Sequence, residues 1–162
     1  MSVRSCAAAA ASRWLWIGER EIGARRMRVR APNAGYRVPF LPDVYFEVTY
    51  PNGDVQCVVV EIDMGTLTLR RFARKVQAFE TALDDEVFRR HFKRDDFTVL
   101  VLTQSRRRLD ALRQVAGRAV LNEHHGDYDL STFAEALAPS AFASATWWDL
   151  DGESNAGVLF NG

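Results

Sequence analysis

Between residues 43 and 102 the hydrophobic pattern changes period twice, and this limits the folds open to the chain. Residues 43–50 alternate in the manner of a half-buried strand, with Val44, Phe46 and Val48 on one face. Pro51-Asn52-Gly53-Asp54 is a strong turn signal, and residues 55–62 follow as a second strand carrying Val58-Val59-Val60. After Gly65 apolar residues recur at three- and four-residue steps. Leu69, Phe72, Ala73, Val76, Phe79, Ala82 and Leu83 predict an amphipathic helix over residues 67–83, capped by Thr66 or Thr68. A shorter helix is expected over residues 86–92, and residues 97–102 (FTVLVL) read as a fully buried strand. A hairpin followed by a helix and a buried strand calls for a mixed sheet with helices packed on it.

The flanking segments are less regular. Residues 8–27 carry Trp14, Leu15, Ile17, Ile22 and Met27 and predict a helical opening, weakened by Gly18 and Gly23. Residues 31–42 hold three prolines and Gly35 and read as an irregular connection. Ser105 opens a helix through Leu109, Leu112, Val115, Ala116 and Val120, with Ser105 itself as the cap. Short strands are expected over residues 128–133 and 146–150. The resulting order is α–β–β–α–β–α–β–β. A length of 162 residues suits one domain, placed at 13–150, with flexible ends at 1–12 and 151–162.

With 48% hydrophobic and 26% charged residues the composition is that of a globular domain, not of a disordered chain or a disulfide scaffold. No apolar run reaches the roughly 20 residues of a membrane-spanning helix. The short run 6–11 is cut by Arg13 and followed by no clear cleavage site, so it reads as a frayed start or the beginning of a helix. Two cysteines, Cys6 and Cys57, are too few for a metal framework, and a reducing, cytoplasmic setting is expected.

The net charge of zero hides four blocks. Residues 1–40 balance to +6, residues 41–66 to −5, residues 67–118 to +6 and residues 119–162 to −7. An acidic block between two basic ones fits a metal centre among phosphate-binding arginines. It equally fits solvated helices carrying arginine and strands and loops carrying acids. Only Lys75 and Lys93 of the 21 basic residues are lysines, which singles out Lys75 on the long helix.

Three acids stand out by position. Asp43 opens the first hairpin strand, while Glu61 and Asp63 close the second and share a face across Ile62. A tight hairpin brings the start of one strand beside the end of the other, so the three carboxylates should converge. Such a group is stable only with a cation or a shared proton, and hard oxygen ligands suit Mg²⁺ or Mn²⁺. Strand-end acids that merely meet solvent are the plainer reading of the same pattern. Glu19 and Glu21 are further acids ahead of the connection. His124 and His125 beside Glu123 and Asp127 read as a solvated loop rather than a metal site. No nucleophile elbow, P-loop, dinucleotide glycine pattern or CxxC pair is present.

Pro42-Asp43, a hairpin, and then Glu61-Ile62-Asp63 resemble the PD-(D/E)xK restriction-endonuclease-like superfamily. More narrowly, residues 58–83 (VVVEIDMGTLTLRRFARKVQAFETAL) resemble the nuclease-like domain of plasmid and phage replication-relaxation proteins. So do FTVLVLT with Ser105 and the run Arg106–Arg107–Arg108, and the late Trp147-Trp148. Members of that family usually carry an N-terminal winged helix, for which these residues leave no room.

The resemblance implies an αβββαβ core, a metal site at Asp43, Glu61 and the Ile62 carbonyl, and phosphodiester hydrolysis of DNA with Mg²⁺ or Mn²⁺. The superfamily's lysine falls on Asp63, a departure. Lys75 is then the candidate replacement from the following helix, with Asp63 a further ligand or water-orienting base. Arg70, Arg71, Arg74, Arg106, Arg107 and Arg108 are the candidate phosphate contacts. Two further readings stand beside this one: a catalytically inactive module that binds DNA or protein, and a homodimer formed through strand edges and tryptophans.

Overall fold

The computed structural model describes residues 13–31, 35–84, 86–137 and 146–156. In chain order the elements are β1 (Arg13–Gly18), α1 (Glu19–Ala24), β2 (Arg28–Arg30), β3 (Arg37–Pro39), β4 (Val44–Thr49) and β5 (Val55–Asp63). There follow α2 (Leu69–Asp84), α3 (Glu86–Phe92), β6 (Thr98–Thr103), α4 (Arg106–Ala119), a 3-10 turn at Asn122–Asp127, β7 (Tyr128–Thr132), α5 (Phe133–Ala136), β8 (Thr146–Trp148) and β9 (Ser154–Ala156). Seven strands form one mixed sheet in the order β1-β4-β5-β6-β7-β8-β9, and β2 pairs with β3 in a small separate ribbon. The chain is therefore α/β, as the change of period requires.

The hairpin forms where the turn signal lies. Gly53 takes a positive φ of 91°, and its N–H donates to the Tyr50 carbonyl at 2.9 Å. β4 is antiparallel to β1 and to β5, whereas β5, β6 and β7 run parallel. Strand alternation then sorts the core. Cys57 and Val59 face α2, α3 and α4, against Phe72, Val76, Phe79, Phe88, Leu109 and Leu112. Val58 and Val60 face the other way, with Val44, Phe46, Leu100 and Trp147. Thr68 and Ser105 cap α2 and α4, accepting from the third backbone N–H beyond each at 3.3 Å.

Three expectations change. Residues 13–18 are not helical: Trp14-Leu15-Trp16-Ile17 is an edge strand paired to β4, and helix begins only after Gly18. Bulky and β-branched residues side by side favour an extended backbone, and pairing satisfies their N–H and C=O groups. The connection at 31–42 contains β3, which holds β2 with Val29 opposite Val38. Within the expected tail, β9 pairs with β8, with Trp147 opposite Asn155. Residues 1–12 and 157–162, expected to be flexible, lie outside the described residues.

Buried Glu80 on α2 ties the helical layer to the sheet. Its Oε1 accepts from the Tyr128 hydroxyl at 2.7 Å, and its Oε2 accepts from the Leu121 N–H at 3.2 Å and meets His124 Nδ1 at 3.0 Å. Tyr128→Phe leaves one carboxylate oxygen without its donor and should cost about 1–2 kcal/mol, a fall in Tm of about 3–6 °C in a thermal melt.

Candidate active site

The parallel strands β5, β6 and β7 end at the same edge, so the residues that follow them gather there. Glu61 and Asp63 project from the end of β5 towards α2 and α4 and are buried. Asp43, one residue before β4, reaches the same end. Its N–H donates to the Val60 carbonyl at 3.1 Å, and its Oδ2 accepts from the Ile62 N–H at 2.7 Å. β4 stops opposite Val60, so beyond that point no described strand pairs with β5 on this side. The Ile62 carbonyl shares the side of its N–H and is thus aimed at Asp43.

Glu61 is 2% exposed, and α2 supplies its counter-charge. Lys75 Nζ donates to both carboxylate oxygens, at 2.5 and 2.6 Å. Burial nevertheless pushes the Glu61 carboxyl up to about 7, against the pull of Lys75 and with a further push from Asp43 and Asp63. Both of the other acids thus bear on Glu61.

Asp63 is held differently. Its carboxylate accepts from Arg108 Nε at 2.7 Å, from Arg108 NH2 at 3.2 Å and from the Thr103 hydroxyl at 3.2 Å. Burial works to raise its pKa, but Arg108, Thr103 and the Gly65 backbone outweigh it and leave it below the usual carboxylate value. Arg108 also donates to the Leu67 carbonyl, tying the β5–α2 connection to the first turn of α4.

The six candidate phosphate-contacting arginines divide. Arg70, Arg71 and Arg74 are exposed on the first turns of α2, and Arg107 is exposed on α4. Arg106 lies over the Trp148 ring at 3.5 Å, and Arg108 is spent on Asp63. Arg71, Lys75, Leu67 and Glu19 line one cleft of about 250 Å³. Glu19 therefore stands at the site, whereas Glu21 pairs with Arg25 at 3.5 Å. His124 and His125 are taken up by Glu80 and Asp151. Burial pushes the Cys57 thiol up to about 11, so it is no nucleophile at neutral pH.

Reading the sequence missed the role of Arg108 and the contribution of Thr103. The available signal was the topology: a helix following a strand parallel to β5 must begin beside the end of β5. The donor set offers hard oxygens of the kind Mg²⁺ and Mn²⁺ prefer. Among the described residues no three His, Cys, Asp or Glu side chains form a metal-holding group. A cation here would rest on the carboxylates of Asp43 and Glu61 together with the Ile62 carbonyl.

Comparison with family models, with curated proteins and with solved structures gives no match. Among the described residues no helix is long and apolar enough to cross a membrane.

Proposed function

We propose that this chain is a DNA-engaging domain of the PD-(D/E)xK type, akin to that of replication-relaxation proteins, and hydrolyses phosphodiesters with Mg²⁺ or Mn²⁺. The observation that carries this reading is the lysine of α2 seated on the buried strand-end glutamate, beside Asp43. The antiparallel β1-β4-β5 unit, followed by helix and by parallel β6, supports it as well, although α1 here falls inside that unit.

Asp43, Glu61 and the Ile62 carbonyl would hold the cation, which when bound lowers the pKa of a water and draws charge from the phosphate. Lys75, seated on Glu61 and lining the cleft, would orient a phosphate oxygen and offset its developing negative charge. Arg70, Arg71, Arg74 and Arg107 meet the flanking backbone phosphates, and Asp63 holds the end of β5 in place through Arg108.

Supercoiled plasmid incubated with the protein and Mn²⁺ should be nicked or linearised, with none cut in chelator. Asp43→Asn keeps an acceptor for the Ile62 N–H and removes the charge, and should slow cleavage about 100-fold. An equal rate in Asp43→Asn would remove Asp43 from the site. A second reading is favoured by one specific observation: both buried carboxylates are already neutralised by side chains of the chain itself. A module that only binds would give no cleavage and no Mn²⁺-dependent rise in Tm, because a ligand stabilises only the state it binds.

A further inference from the structure

The helices α1 to α4 cover one face of the sheet, and among the described residues none covers the opposite face around β1. Trp14 and Trp16 stand on it, 52% and 65% exposed, each with its ring centroid 6.0 Å from that of Phe46. With Ile62, Leu137 and Trp147 they line an apolar groove of about 280 Å³. β1 is also the end strand of the sheet, six residues long, whereas β9 at the far edge has three. Natural edges are usually shielded by charged side chains, proline, a bulge, shortness or a covering segment, and among the described residues β1 shows only the charge of Arg13 at its start.

We propose that two copies of this chain associate antiparallel through β1, joining their sheets edge to edge. The side-chain pattern selects the register. A slip of one residue would put each tryptophan opposite a residue of the other face, so only registers in even steps are allowed. The register centred on Trp16 sets Trp16 opposite the partner's Trp16 and Leu15 opposite the partner's Ile17. Trp14 then lies opposite the partner's Gly18, where a side chain would meet nothing within 4 Å and the indole fills open space. Gly18 is extended (φ −85°, ψ 168°), so Glu19 leaves the strand still in line with it. Arg13 therefore meets the partner's Glu19, and the two-fold axis repeats that ion pair at the other end of the ribbon. A shift of two residues in one direction sets Arg13 against the partner's Ile17. In the other it sets Arg13 against the partner's Glu21, which lies within α1 and off the strand, so both shifts lose the two Arg13–Glu19 pairs. The charges at the two ends of β1 thus match a second copy of β1.

One consequence reaches the candidate site without depending on what it catalyses. Glu19 lines the Lys75 cleft, so the partner's Arg13 arrives at its rim.

Sedimentation velocity over a concentration series tests the proposal, with tryptophan emission as a second readout. The wild type should pass from monomer to dimer, with emission shifting to the blue as Trp16 is covered. Arg13 and Glu19 are both exposed, so neither reversal threatens the fold. Arg13→Glu and Glu19→Arg should each weaken the dimer about tenfold or more, since each replaces two attractions by two repulsions. The double reversal restores the pairing with signs exchanged and should return to within about threefold of the wild type. A protein that stays monomeric at every concentration overturns the proposal. So does a dimer indifferent to the single reversals, or one that the double reversal fails to restore.

Discussion

Glu61→Gln should raise Tm at pH 8, leave it nearly unchanged at pH 5, and remove Mn²⁺-dependent cleavage. The expectation follows from a carboxyl whose ordinary value of 4.5 is pushed to about 7 in the fold, chiefly by burial. In the unfolded chain it loses its proton near pH 4.5, and in the folded protein only near pH 7. Between those values the folded state binds more protons, so stability falls as pH rises. The contribution is complete below the lower value and gone above the upper one. A shift of this size corresponds to about 3 kcal/mol. Glutamine keeps the shape without the charge, but leaves Lys75 with a weaker partner. A net gain of about 1–2 kcal/mol, or about 3–6 °C, is expected at pH 8. Cleavage should fall about 1,000-fold, as a cation would lose one of its two carboxylates. If Glu61→Gln melts below the wild type at both pH values, the ion pair with Lys75 outweighs the burial of the charge. Unchanged cleavage would show that Glu61 holds no cation.

Arg108→Ala should be the most destabilising single change near the site. The Asp63 side chain is fully buried, and without Arg108 it keeps only the Thr103 hydroxyl among its side-chain partners. Removing one partner of a buried ion pair costs about 3–5 kcal/mol, which lowers Tm by about 6–15 °C in a chain of this size. Arg108→Lys keeps the charge but cannot span Asp63 and the Leu67 carbonyl together, so it should recover only part of the loss. Adding Asp63→Asn to Arg108→Ala removes the orphaned charge and should regain much of the stability. The pH dependence is opposite to that of Glu61. Asp63 has a lowered pKa, so its contribution is present above the ordinary carboxylate value and lost as pH falls through the folded one. Thermal melts of the three variants across pH would separate the two carboxylates. A stability loss under 1 kcal/mol in Arg108→Ala would show that the clamp is dispensable.

What the sequence disclosed follows the range of the interactions. The β4–β5 hairpin rests on four turn residues, and α2 on an apolar stripe repeated over roughly four turns, so both were legible. α3 was legible for the same reason, and the Ser105 cap lies next to the helix it starts. β1 was not, because Trp14-Leu15-Trp16-Ile17 has no polar alternation to separate a strand from a helix. Its state is decided by β4, some 30 residues on. β2 and β3 are three residues each, too short for any periodicity, and three prolines disguise them. In the site, convergence of Asp43, Glu61 and Asp63 follows from the hairpin alone. The partner of each acid does not. Lys75 depended on how α2 is rotated, and Arg108 lies 45 positions from Asp63, within reach only because β5 and β6 run parallel.

The pair of Asp63 and Arg108 also constrains how this chain can change over generations. A lysine arriving at position 63, which is fully buried, would place its ammonium against the Arg108 guanidinium, two like charges in contact. That substitution is tolerated only with, or after, a neutral or acidic residue at position 108. An alanine at 108, in turn, strands Asp63. The two positions are epistatic, each acceptable change waiting on the other, and so the aspartate is entrenched.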